Sequence, residues 1–203
     1  MTDNQTLKLI CKDFISVNHY MSYRAIKRGK FHTVMAYKPK ATKDFEKTFG
    51  EYVREEIKKQ GWTKPSKDKF VNLNTIFYFP RVDMDAQNYF KSLCDILTSN
   101  GVWEDDNIVL EKVNRIYYDN VNPRIELVIT VSDHIGIFDN KEEYKRFIHT
   151  YCDNCTRGGK IGQKGGCSIY KDSLESRIRD EIPMNTKEEI HNKKCTEFKL
   201  KNK

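Results

Sequence analysis

The stretch from Phe70 to Ser99 limits the fold most. "FVNLNTIFYFP" (70–80) is rich in β-branched and aromatic residues and stops at Pro80, as a strand would. From Ala86 the spacing turns helical. Ala86, Tyr89, Phe90, Leu93 and Leu97 share one apolar face, while Gln87, Lys91 and Asp95 recur every four residues on the other. Gly101 closes this helix, expected over 86–99. Two strand-like runs follow, "NIVLEKVNRIYYD" and "RIELVITV", joined by "NVNP", whose composition is that of a turn. They read as a hairpin that completes a main domain near residue 133.

Upstream, "TLKLICKDFI" (6–15) alternates apolar and polar residues and reads as a strand. "SVNHYMSYRAIKRGKFHTVMAY" is basic and aromatic, turns at Arg28–Gly29, and offers a second strand over 31–37. After Pro39, Phe45, Phe49, Val53 and Ile57 mark a helix that Gly61 stops. "KPSKDK" is a polar loop. The expected class is α+β: a small mixed sheet with two main helices over residues 1–133, then a helical, cysteine-rich extension over 134–203. In the extension, "FDNKEEYKRFIHTYCDNC" reads as a short helix leading into a cysteine knuckle, and "TRGGKIGQKGG" as a flexible span. "CSIYKDSLESRIRDEI" reads as one helix with Ile169, Leu174, Ile178 and Ile182 inward, and residues 184–203 as a frayed lysine-rich tail.

The chain of 203 residues carries a net charge of +7 and a pI near 9.0, so anionic partners are expected, nucleic acid before an acidic membrane surface. No segment approaches the ~18 apolar residues of a membrane span, and "MTDNQTLKLICKD" lacks the pattern of a secretory signal. A cytoplasmic protein is expected. Its six cysteines then favour burial or metal binding over disulfides.

Carboxylates bracket the second helix. Asp83 and Asp85 stand before it, and Glu104, Asp105 and Asp106 follow it. An aspartate before a helix caps orphan N–H groups and suits the helix dipole. A hard cation such as Mg²⁺ binds through one or two carboxylates plus substrate phosphate oxygens, and a nearby lysine offsets further charge. Spacing alone leaves both readings open.

"DMDAQNYFKSLCDIL…GVWEDDNIV…NPRIELVI" resembles the RusA-type Holliday-junction resolvases, phage-associated endodeoxyribonucleases. Their signature is Asp-x-Asp-Asn-(Leu/Tyr)-x-Lys, then Asp-x-Leu on the same helix, then a Gly-x-Trp-x-Asp-Asp turn. "SVNHYMSYR" resembles the family's Pro-Ser-x-Asn-x-Tyr segment, and the likeness runs over roughly residues 6–131. It implies a homodimeric nuclease, dependent on Mg²⁺ or Mn²⁺, that cuts four-way DNA junctions in a bacterial or phage-infected cell. In a gapless match Asp85 takes the first metal-binding aspartate, Asn88 the asparagine, Lys91 the lysine and Asp106 the last catalytic aspartate, with Asp105 beside it. The second motif aspartate is Gln87 here, an uncharged and weaker ligand, and Asp83 is a substitute ligand to weigh.

The basic segment supplies DNA-binding candidates: Asn18, Tyr20, Tyr23, Arg24, Lys27, Arg28, Lys30 and His32, with Phe31, and with Lys38 and Lys40 extending the patch. Cations hold phosphates and aromatic rings stack on unpaired bases; ordinary strand aromatics on a solvated hairpin are the plain alternative. In the tail, Cys152, Cys155 and Cys167 offer three thiols for structural Zn²⁺, with Cys195 or His149 as the fourth ligand; an unligated flexible tail is the plain alternative. Three functions follow: an active resolvase, a branched-DNA-binding protein whose cleavage is weakened by Gln87, or a zinc-dependent interaction adaptor.

Overall fold

Six strands and six α-helices account for the regular structure in a computed structural model that describes residues 5–66, 69–158 and 166–201. The chain divides into two compact units, Met1–Ser132 and Asp133–Lys203.

In the first unit, strands β1 (Thr6–Cys11), β4 (Val71–Phe79), β5 (Val109–Tyr118) and β6 (Arg124–Val131) form a mixed sheet of order β1-β6-β4-β5. Strict alternation along β4 buries Val71, Leu73, Thr75, Phe77 and Phe79 and leaves the intervening residues half-buried. Leu7, Leu9 and Cys11 of β1 and Ile125, Leu127 and Ile129 of β6 line the same face in register. Helices α2 (Lys40–Gln60) and α3 (Gln87–Ser99) cover that face. Phe45, Phe49 and Val53 of α2 and Tyr89, Phe90, Leu93 and Leu97 of α3 join its core. Gly61 ends α2 in the left-handed conformation, with Ile57 O accepting from the chain at that end.

The expected β5–β6 hairpin is not formed. β5 runs parallel to β4 on one side and β6 antiparallel to β4 on the other. Helix α3 is the crossover that a parallel pair needs. Asp119 N–H then bonds to Phe79 O at 2.7 Å, and the chain crosses the end of β4 to reach its far side. The N-terminal basic segment forms a short helix α1 (Val17–Tyr20) and a separate two-stranded sheet, β2 (Ser22–Arg28) with β3 (Phe31–Tyr37).

The second unit has a small core of Ile137, Phe138, Phe147, Cys152, Ile169 and Ile182. Helix α4 (Lys141–Phe147), capped by Asn140, continues as one π-helical turn to Cys152. The expected long helix from Cys167 is shorter: α5 (Ser168–Leu174) stops early, Ser176 takes a positive φ of 59°, and Ile178 is exposed. Arg179 bonds back to Asp172 at 2.6 Å and to Glu181 at 2.7 Å, so the chain reverses where a longer helix would continue. The last segment is not frayed as far as Lys201. Helix α6 (Lys187–His191) starts in a capping box of Thr186 and Glu189, and Lys193 is buried on Glu143 at 2.9 Å. Most of the expected flexible "TRGGKIGQKGG" span lies outside the described residues.

Candidate active site

The polar side of α3 carries the site. Lys91 and Asp95, one turn apart, form an ion pair of 2.7 Å, and the same Lys91 Nζ lies 3.4 Å from Asp106 Oδ2. The hydrogen bond to Asp95 leads the effects on Lys91. With Asp106 it outweighs slight desolvation and raises the lysine above its ordinary pKa, so the ammonium is firmly charged at neutral pH. Cys94, on the buried side of the helix, donates to Glu111 Oε1 at 3.3 Å; burial first, then Glu111, Asp106 and Asp95, push its thiol well up.

Asp106 is aimed by the turn before it. Val102 and Trp103 are buried, Trp103 Nε1 donates to Thr98 Oγ1 at 2.7 Å, and Val102 O accepts from Trp62 Nε1 at 2.9 Å. Asp105 is exposed and accepts from Asn107 N–H at 3.3 Å, capping the single 3₁₀ turn Asp106–Ile108.

Lys91, Asp95 and Asp106 open onto a cleft of ≈ 690 Å³ between α3 and α2. Its other wall holds Glu46, which accepts from Tyr20 Oη and from Lys38 Nζ. Lys38 Nζ also lies 3.3 Å from Tyr20 Oη and 4.8 Å from the centre of its ring. Burial, then Glu46 and Asp95, hold the Tyr20 hydroxyl protonated well above its ordinary range. At the cleft's end Gly50 meets Asn100, where a Cβ would come within 2.8 Å of the amide, and Arg54 donates to Asn100. Sequence reasoning left Glu46 and Arg54 out of the site and gave Asp95 no role there. Asp95 was within reach, since it stands four residues after Lys91. Nothing local in the sequence links Glu46 to Tyr20.

Asp83 and Asp85 stand before α3. Asp85 accepts from Gln87 N–H at 3.0 Å, which satisfies an orphan donor, and Asp83 pairs with Arg81 at 3.1 Å. Gln87 is exposed, on the same face as Lys91, and Asn88 is half-buried in the first turn. The structure thus brings Lys91 together with Asp106 and Asp95, and leaves Asp83 and Asp85 at the helix start. Among the described residues no group of three or more His, Cys, Asp or Glu side chains is placed to hold a metal ion. Mg²⁺ asks less of a protein, one or two carboxylates with the remaining positions filled by water and phosphate. Asp95 and Asp106 are carboxylate oxygen donors of the kind a hard cation takes, and the Lys91 ammonium lies between them.

Every residue of the β2–β3 hairpin is exposed or half-exposed. Arg24, Arg28 and Phe31 lie on one face, Tyr23, Lys27 and His32 on the other, and Lys30 is in the turn. Tyr23 is 70% and Phe31 77% exposed, and Arg24 lies 5.5 Å from the Tyr37 ring centre. Asn18 is exposed on α1. Tyr20 differs from these: it is buried, and it lines the cleft. Lys38 is tied to Glu46, while Lys40 is exposed at the start of α2.

In the second unit, Cys152 and Cys155 are buried and Cys167 and Cys195 half-buried. His149 is 86% exposed and pairs with Asp153 at 3.5 Å. Among the described residues no helix is long and apolar enough to cross a membrane.

No curated protein matches the chain. A family model, Endodeoxyribonuclease RusA, matches residues 21–130, more than half of the chain, from the basic hairpin through α2, β4, α3 and β5 into β6. That span holds Lys91, Asp95 and Asp106 as well as the hairpin cations, and on it the chain belongs to the RusA endodeoxyribonuclease family.

Proposed function

We propose that the chain is a metal-dependent, structure-selective endodeoxyribonuclease that resolves four-way DNA junctions as a homodimer. The observation that carries this reading is the Lys91 ammonium held between Asp95 and Asp106 at an open cleft within a RusA-family domain. Asp106 and Asp85, with Asp83 or Gln87 beside the latter, are the residues that would hold Mg²⁺ or Mn²⁺. When bound, such an ion supplies water activation and charge neutralisation at the scissile phosphate. Lys91 offsets charge that builds on the phosphoryl oxygens. Asp95 is a positioning residue that keeps the ammonium beside Asp106. The exposed hairpin cations, Arg24, Lys27, Arg28 and Lys30, take the phosphate backbone, and Tyr23, Phe31 and His32 offer rings to unpaired bases. Asn18 and Asn88 add polar contacts.

A synthetic four-way junction with Mg²⁺ tests this. Paired symmetric nicks, abolished by Asp106→Asn and by chelation, are expected; no preference for the junction over duplex would sink the proposal.

Gln87 favours a second reading, a branched-DNA-binding protein with weakened cleavage, because it removes a charge at a motif position. Tight junction binding without nicks supports this reading, and a large gain of cleavage in Gln87→Asp would identify the missing charge as its cause.

A further inference from the structure

The cleft beside Lys91 has charges that the cleavage chemistry does not use. Four cations and three carboxylates line it. Glu46 is tied to Lys38, and Asp95 and Asp106 share Lys91. The other two cations, Lys47 and Arg54, pair with no carboxylate among the described residues.

Both belong to one side of α2. Seven residues make about two helical turns, so Lys47 and Arg54 face the same way, about 10 Å apart along the axis. Gly50 lies between them. Its missing side chain lets Asn100 approach, since a Cβ there would come within 2.8 Å of the Asn100 amide nitrogen. Asn100 Nδ2 donates to Ile96 O at 2.7 Å at the end of α3, and its Oδ1 accepts from Arg54. A neutral amide therefore aims the guanidinium without cancelling its charge, and most of the five guanidinium donors stay open. Lys47 is exposed, and among the described residues its ammonium has no partner.

The length of the cleft points to a chain of phosphates. Lys91 and Asn100, nine residues apart on α3, both line it, which spans about 13 Å of helix. One strand of duplex DNA advances ~3.4 Å per nucleotide, so that span matches about four phosphates. Bases find nothing to stack on here, because Tyr20, the aromatic residue of the lining, is buried. We propose that the groove between α2 and α3 seats the strand to be cut: Lys47 and Arg54 hold its phosphates to one side of the scissile bond, and Lys91 and Asp106 face that bond. The inference rests on the nuclease reading above and adds the course of the cleaved strand. The hairpin then takes the branch, while the groove grips one backbone whatever its sequence.

The test measures binding of a synthetic four-way junction by the full-length protein, with divalent metal chelated so that no strand is cut. Fluorescence anisotropy is followed across a salt series. Lys47→Gln with Arg54→Gln should lower the slope of log affinity against log salt by about 1.8, at ~0.9 for each of two phosphates, and weaken binding at ~0.1 M salt by at least about tenfold. Junctions with a neutral methylphosphonate at one backbone position at a time locate the contact. Wild-type protein should lose affinity at a short run of adjacent phosphates beside the nick made with Mg²⁺, and the double variant should be indifferent there. An unchanged slope, or a double variant as sensitive as wild type at those positions, overturns the proposal. Should Arg54→Gln disturb the fold, Lys47→Gln alone decides, with half the change in slope. If wild-type protein prefers no junction over duplex, the resolvase reading fails, and the same slope measured on duplex still judges the groove.

Discussion

Replacing Lys91 with methionine removes one charge and keeps most of the side-chain volume. The ammonium sits 2.7 Å from Asp95 and 3.4 Å from Asp106, and the side chain is 59% exposed. Two unit charges ~4 Å apart interact by about 1 kcal/mol in water and about 4 kcal/mol at an effective dielectric of ~20. The exposure favours the lower part of that range, about 1–3 kcal/mol of transition-state stabilisation. At ~1.4 kcal/mol per decade, Lys91→Met should lower kcat about 5- to 150-fold. Junction affinity should fall by less, since the hairpin keeps its cations. Stability should move by at most about 1 kcal/mol, because exposed ion pairs contribute little. Single-turnover cleavage of a pre-bound junction separates these effects.

The pH profile adds a second readout. Asp95 and Asp106 raise the Lys91 pKa, so its charge is complete at neutral pH and is lost only as pH climbs through that raised value. Activity between about pH 6 and 9 should therefore carry no ionisation that disappears in Lys91→Met. Wild-type single-turnover rates in Lys91→Met, or a loss confined to affinity, would refute the role given to the ammonium.

Replacing Lys27, Arg28 and Lys30 together by glutamine should reduce the slope of log affinity against log salt by about 0.9 for each duplex phosphate no longer neutralised, read by fluorescence anisotropy across a salt series. Lys193→Met leaves Glu143 buried without its cation, and should destabilise the second unit by about 3–5 kcal/mol in urea denaturation followed by Tyr fluorescence. Gly136 has a φ of 57°, and a Cβ there would stand 2.0 Å from Ser173 O, so Gly136→Ala should cost at least about 1–3 kcal/mol and lower the Tm of that unit.

Both long helices are legible in the sequence because each repeats one apolar face against one sheet. The five apolar positions read along α3 and its start are all buried, and Gly61 caps α2. The partner of β5 is not legible. "NVNP" has a turn's composition, but composition does not say whether the two runs it joins pair with each other or with β4. The crossover through α3 sets β5 parallel to β4, and β6 takes the remaining side. The helix after Cys167 reads longer than it is for a related reason. Its apolar spacing runs on, while Arg179 folds back onto Asp172. The cleft shows the same limit. Lys91 and Asp95 lie one helical turn apart and can be read from spacing, whereas Tyr20, Lys38 and Glu46 are far apart in sequence and meet only in the fold.

The parallel strand and the site have one cause. A parallel β5 requires the chain to leave α3 and return to the starting end of β4 before pairing. The return runs through Val102 and Trp103, which are buried beside the end of α3 and pinned to Trp62 and Thr98. Asp105 and Asp106 follow immediately, so the turn that starts β5 delivers a carboxylate to the polar face of the helix just left. In a β5–β6 hairpin standing apart from β4, nothing would hold Asp106 beside Lys91. The buried Trp103 is thus a positioning residue for the acidic turn: it anchors the backbone inside, and the aspartates that follow it reach towards solvent and the cleft.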